Sequence, residues 1–199
     1  MSAPLILASA SRSRARMLEA AGVAFTSDAP HVDEGAVKGE MKRKGATVMQ
    51  CAEALARLKA KTISDKRPGA LVIGADQMLD CDGAWFDKPA DMAGARSHLQ
   101  RLGGKSHYLP TAAVVMRDGA VVWAETGAPR LTMRPLSEAF ITAYLARVGT
   151  NALSSVGAYQ LEGPGAQLFT EVDGDFFTIL GMPLLPLLAF LRTQGILVS

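Results

Sequence analysis

Asp76 closes the apolar run "ALVIGAD" (residues 70–76), and Lys88 follows twelve positions later, after "QMLDCDGAWFD". A carboxylate at a strand end can hold a divalent ion or take a proton from water. A lysine returning to the same place could neutralise a phosphate oxygen. Spacing alone leaves plainer readings open: Asp76 opening a turn, and Lys88 as a solvated charge.

A second group of chemistry-bearing residues starts the chain. "LILASASRSRARMLEAAG" (residues 5–22) passes from a short apolar strand through small residues into an alanine-rich helix carrying Arg12, Arg14 and Arg16. Free backbone N–H groups and the helix dipole make such a helix start an anion site. A cation in the first turn is unfavourable unless it faces an anion, and guanidinium forks match phosphate oxygens. Ser9 and Ser11 could add hydroxyl donors. The alternative is a solvated basic face. Glu34, in "PHVDEG", lies in a polar stretch where acidic residues are ordinarily solvated. Lys59 lies on a helix where a surface lysine is the ordinary reading.

The elements that must position these residues follow from the pattern. A strand over about residues 4–8 leads to a helix over about 12–21, stopped by Gly22. "SDAPHVDEGAVKGEMKRKG" (residues 27–45) is expected to be an exposed loop with mobile parts. Val48, Ala52, Leu55 and Leu58 give helical spacing over 47–63. "ALVIGAD" is the continuous apolar run of a strand covered on both faces. Hairpins are expected around Asp82-Gly83 and Asp118-Gly119. Asp91 and Ser137 can cap helices reaching about Arg101 and Arg147. A C-terminal helix follows Pro183 and ends before Gly195. Interleaved strands, helices and hairpins predict an α/β fold with a mixed β-sheet flanked by helices.

Composition narrows the function. The 199 residues suit one domain, 1–199, or one domain pinched into two lobes, and 49% hydrophobic residues allow a substantial core. A net charge of +2 is too small to argue for nucleic-acid or membrane binding, so any positive site is local. Residues 176–198 are apolar, but Gly181, Pro183, Pro186 and Arg192 interrupt them before a bilayer span is reached. The initial apolar run is too short for a signal peptide. Cys51 and Cys81 read as reduced thiols of a cytoplasmic protein, and His31, His98 and His107 lack zinc-ligand spacing.

Taken together, "LILASASxSRxxML", "PHVDEG", "ALARLKA", "VIGADQMLDCDGAWFDKP" and "GAYQLEGPGAQLF…GDFFTILGMPL" resemble, in order and spacing, the Maf (septum-formation) nucleotide pyrophosphatases. The resemblance covers nearly the whole chain. It implies a cytoplasmic, commonly homodimeric α/β protein with two lobes and a deep cleft between them. It implies hydrolysis of nucleoside triphosphates to the monophosphate and pyrophosphate, with a divalent cation (Mg²⁺, Mn²⁺ or Co²⁺). By the same motifs, Asp76 matches the catalytic proton acceptor, and Ser9 and Arg14 the triphosphate cradle. Lys59 and Lys88 match the two lysines near the phosphates, and Glu34 with Asp76 the metal-binding carboxylates. This chain departs from the usual pattern at Arg12 (commonly Pro), Ala15 (commonly a second Arg) and Ala112 (commonly Gly).

Three positions track the base in that family, and here they are Ser13, Gln77 and Glu162. Gln77 and Glu162 match members acting on 7-methyl-GTP, whereas the tryptophan of that subgroup is Ser13. An ionised carboxylate only accepts hydrogen bonds. Guanine offers two adjacent donors on its pairing edge, while uracil and thymine offer one donor flanked by acceptors. The expected activity is removal of modified nucleotides such as 7-methyl-GTP. A dTTP/UTP pyrophosphatase, or a weakly catalytic nucleotide-binding regulator of cell division, stands as the alternative.

Overall fold

The strand Leu71–Gln77 shows why one stretch of chain can be buried on both sides. The computed structural model describes residues 3–198. In chain order it begins with β1 (Leu5–Leu7), α1 (Arg12–Ala20), β2 (Thr26–Ser27), α2 (Glu34–Arg43), α3 (Val48–Ser64) and β3 (Leu71–Gln77). Next come β4 (Leu79–Cys81), β5 (Ala84–Phe86), α4 (Met92–Leu102), β6 (Ser106–Tyr108), β7 (Thr111–Arg117) and β8 (Ala120–Gly127). The last are β9 (Arg130–Met133), α5 (Glu138–Val148), three short 3₁₀ turns, β10 (Phe169–Asp173), α6 (Phe176–Ile179) and α7 (Leu184–Thr193). No helix among the described residues is long and apolar enough to cross a membrane.

The chain divides into two compact units. The first, built from residues up to Gln77, from Thr111–Gly127 and from Asp175 onward, holds a sheet of order β2-β1-β3-β7-β8. β1 runs parallel to β2 and β3, while β3–β7 and β7–β8 are antiparallel, so the sheet is mixed as expected. Side chains alternate along β3. Leu71, Ile73 and Ala75 join Leu5, Leu7, Met17, Leu18, Leu187 and Leu191 in one apolar cluster. The opposite face receives α3 across Gly74. A methyl there would stand 2.7 Å from Ala60 Cβ and collide with the Ala56 carbonyl.

The second unit, Met78–Pro110 and Ala128–Gly174, carries an antiparallel sheet of order β10-β9-β6-β4-β5. The second sheet is additional to the expected mixed one. β6 is only three residues and β9 four, too short for an alternation to show. Both expected hairpin turns form, with positive φ at Asp82-Gly83 and Asp118-Gly119 as a two-residue turn requires. Asp91 and Ser137 cap α4 and α5 as read.

The expected loop at 27–45 is corrected. Its second half is α2, whose N-cap Asp33 accepts from Ala36 N at 2.9 Å. None of its ten residues is buried, so no apolar stripe betrayed the helix.

Within the second unit, His107 is fully enclosed, its Nε2 2.7 Å from the Tyr159 hydroxyl and its ring against Tyr159 and Phe169. Nδ1 has no partner among the described residues. Burial pushes the imidazole pKa from 6.5 down to about 4, so the folded protein keeps it neutral where the unfolded chain binds a proton. More protons on the unfolded state mean that stability falls as pH drops from the ordinary value toward the depressed one. Urea titrations at pH 7 and pH 4.5 should therefore show His107→Gln losing about 2 kcal/mol less stability across that interval than the unmodified protein.

Candidate active site

β1 and β3 are parallel neighbours, with Leu7 beside Ile73, so the residues just past β1 and the last residues of β3 share one end of the sheet. Parallel strands of α/β sheets collect ligands at such carboxyl ends. Past β1 the chain turns through Ser9 and Ser11. Ser11 caps α1 by accepting from Arg14 N at 3.4 Å, and its own N–H donates to Ser9 Oγ at 3.1 Å.

Of the three N-terminal arginines, Arg12 and Arg16 are exposed and Arg14 is buried, at 8% exposure. Its Nε donates to Gly181 O at 2.8 Å and its Nη1 to Ser9 Oγ at 3.3 Å. Ser9 Oγ thus accepts twice, which leaves its hydroxyl hydrogen to donate outward. Burial lowers the guanidinium pKa from its ordinary value, and the charges of Asp76 and then Glu34 pull it back up. Guanidinium remains a cation under such opposing influences.

Lys59 is the other enclosed cation. It lies on the buried stripe of α3 formed by Leu55, Ala56, Ala60 and Ile63. Its Nζ stands 2.6 Å from Asp76 Oδ1 and 2.7 Å from Glu34 Oε1. The ordinary reading of a surface lysine is therefore wrong here, and the spacing of four from Leu55 was the signal. Asp76 is 5% exposed; its Oδ1 is held by Lys59, and Oδ2 meets no protein donor among the described residues. Glu34 is the first residue of α2, and its side chain is 42% exposed.

The base-tracking positions divide. Gln77 ends β3, half-buried, with Nε2 donating to Thr111 Oγ1 at 2.9 Å and to the carbonyls of Thr178 and Ile179 at 3.0 Å. Ser13 is half-buried, one residue before Arg14. Glu162 and Lys88 are exposed residues of the second unit. The first unit accordingly brings together Ser9, Arg14, Glu34, Lys59, Asp76 and Gln77. Thr111, Thr178 and Gly181, which hold Gln77 and Arg14 in place, carried no role in the sequence reading. Asp175 accepting from Thr178 N, a capping spacing of three residues, was the available cue.

Buried cations and carboxylates gathered at a strand's carboxyl end suit an anhydride of phosphate. The chain belongs to the Maf family: the family described as Maf-like protein matches it over residues 4–194. Individual relatives agree along their whole lengths. A protein of Paramagnetospirillum magneticum named nucleoside triphosphate pyrophosphatase is 58% identical over 193 residues, 97% of this chain and 100% of its own. One of Hyphomonas neptunium with the same name is 53% identical, covering 99% of each chain. One of Brucella suis named 7-methyl-GTP pyrophosphatase is 50% identical, covering 98% of each.

The contact at Gly74 sets the spacing of α3 from β3, and so the reach of Lys59 to Asp76. Gly74→Ala should cost about 1–3 kcal/mol, the usual penalty for overpacking a filled core. It should also lower turnover of any substrate using that pair. A urea midpoint and an activity assay on the same preparation read both effects.

Proposed function

We propose that this protein is a nucleoside triphosphate pyrophosphatase that opens the α–β anhydride of its substrate with water, releasing the monophosphate and pyrophosphate. The observation that carries the reading is the pair of enclosed cations, Arg14 and Lys59, beside Asp76 and Glu34. The identity shared with relatives named for this activity supports it. Asp76 takes the proton of the attacking water, which breaks the bridge as the new P–O bond forms. Arg14 and Lys59 bear charge on the phosphates, and the outward hydroxyl of Ser9 donates to an oxygen. Lys88 is proposed as a further phosphate cation on its motif alone.

The donor set fits a hard divalent cation. Among the described residues no three His, Cys, Asp or Glu form a ready-made cage. Asp76 and Glu34 nonetheless converge on one point of positive charge, Lys59 Nζ. One or two carboxylates completed by phosphate oxygens and water is the usual magnesium arrangement, and Mn²⁺ or Co²⁺ suits similar donors. When bound there, such an ion would supply Lewis-acid charge to the phosphates.

For the base, the acceptor-only carboxylate of Glu162 favours a guanine-type edge, and the relative named for 7-methyl-GTP supports that direction. Work as a homodimer in the cytoplasm belongs to the same proposal. Cys51 and Cys81, neither of them in a disulfide, are in keeping with a reducing compartment.

A panel of nucleoside triphosphates assayed for pyrophosphate with Mg²⁺, Mn²⁺ or Co²⁺ tests the activity. Asp76→Asn should fall by about 100- to 10,000-fold, the range typical of a lost general base. A folded variant with near-unmodified turnover would remove Asp76 from the mechanism. Glu162→Gln returns a donor to the base side. It should shift the kcat/KM ratio toward UTP and dTTP by about tenfold, as expected when a polar group no longer faces an unmatched partner. An unmodified protein that cleaves UTP rapidly and leaves 7-methyl-GTP intact would reverse the assignment of the base.

A further inference from the structure

The side-chain amide of Gln77 can stand in only one orientation. Nε2 donates toward Thr178 O and Ile179 O, each at 3.0 Å, and toward Thr111 Oγ1 at 2.9 Å. Main-chain carbonyls only accept. Turning the amide over would set Oε1 against two carbonyl oxygens at the same separations. The nitrogen is therefore committed to the protein. Oε1 meets no donor among the described residues, on a side chain that is only half-buried.

The carbonyls that impose this are themselves held. Asp175 Oδ2 accepts from both Thr178 N and Thr178 Oγ1 at 2.7 Å, capping α6. Thr111 Oγ1 donates to Thr178 O at 3.3 Å while it receives Gln77. Behind the turn lies Gly127 of β8, where even a methyl would approach Thr178 Cγ2 to 2.9 Å. Thr178 is 4% exposed and has no room to shift. Two residues beyond Ile179, the Gly181 carbonyl takes Arg14 Nε. The carbonyls that hold the Gln77 amide therefore lie inside the capped turn, and the one that holds Arg14 lies two residues past it.

We propose that the turn Asp175–Ile179 is a positioning element for base selection. It fixes Gln77 so that this point of the site presents an oxygen acceptor, and Asp175, Thr178 and Thr111 set specificity through Gln77 without touching the nucleotide. The proposal rests on the nucleotide reading above. An N–H of the base is welcomed at Oε1, and a keto oxygen is repelled. Freed from the turn, the amide can rotate and offer its NH₂ instead, so discrimination between the two kinds of edge declines.

The test compares kcat/KM for 7-methyl-GTP, GTP, UTP and dTTP in the unmodified protein and in Thr178→Val, Thr178→Ser, Asp175→Ala and Thr111→Val. Valine keeps the shape of threonine and removes the hydroxyl. The guanine-to-pyrimidine ratio should fall by about five- to tenfold in the Val and Ala variants, the low end of what one unsatisfied polar group costs. The change should fall mainly on KM, and Thr178→Ser should restore the ratio. Competitive inhibition by inorganic pyrophosphate, which has no base, should move by less than about twofold, since uniform phosphate binding is separable from base binding. Equal losses on all four nucleotides, or pyrophosphate affinity falling in step, would overturn the proposal by making the turn a general support. Should Thr178→Val not fold, Thr111→Val reads the same ratio from the other side of the amide. Absence of pyrophosphate release from every nucleotide by the unmodified protein would instead defeat the underlying activity.

Discussion

An ammonium group taken out of water must find negative charge, and much of the first unit is arranged around that requirement at Lys59. Burying a lone cation costs several kcal/mol, and the attraction of well-placed carboxylates offsets it. Asp76 at the end of β3 and Glu34 at the start of α2 provide them, at 2.6 and 2.7 Å. The condition reaches back into the packing. α3 can bring Lys59 to Asp76 only because Gly74 lets the helix backbone rest against the strand. It also explains why α2, a helix with no buried residue, has a reason to form where it does. Its first residue completes the pairing.

Arg14 meets the same constraint by different means. Its guanidinium is enclosed with no carboxylate in salt-bridge contact among the described residues, held by the Gly181 carbonyl and the Ser9 hydroxyl, with Asp76 and Glu34 acting at longer range. Neutral acceptors orient a guanidinium without neutralising it. The charge is therefore left over for an anion, and a phosphate chain is the anion whose oxygens match a fork. This surplus distinguishes a binding arginine from a structural ion pair. In the proposed function, this is how a protein with a net charge of only +2 meets a polyanion. The charge is concentrated, not plentiful.

The correspondence with the Maf family and the local geometry agree on most of these residues, and they inform in different ways. Family motifs named Ser9, Arg14, Glu34, Lys59, Asp76 and Gln77 together. Burial and hydrogen bonding say what each is free to do. Ser9 has spent both acceptor positions and kept its hydrogen. Asp76 has one oxygen occupied. Gln77 has lost the use of its nitrogen. Arg12 and Arg16, which spacing alone does not separate from Arg14, are exposed helix residues.

The sequence by itself determined the local elements and the chemistry in reserve. The runs of β1 and β3, the caps at Asp91 and Ser137, the Asp-Gly turns and the stop at Gly22 are governed by neighbours a few residues away, so a linear reading reaches them. The motifs likewise carried the reaction class and named the candidate site residues. Tertiary structure decided what depends on distant partners. α2 has no apolar stripe, and only its cap and Glu34's pairing with Lys59 mark it. The second sheet joins strands from positions 79 to 173 in a non-consecutive order, which no short-range pattern encodes. Lys59 became a buried cation because Asp76 lies across from it. Gln77 became an acceptor because two carbonyls about a hundred residues later face its nitrogen. A side chain's chemistry is written in its type, but which of its atoms remains available is settled by what the fold sets against it.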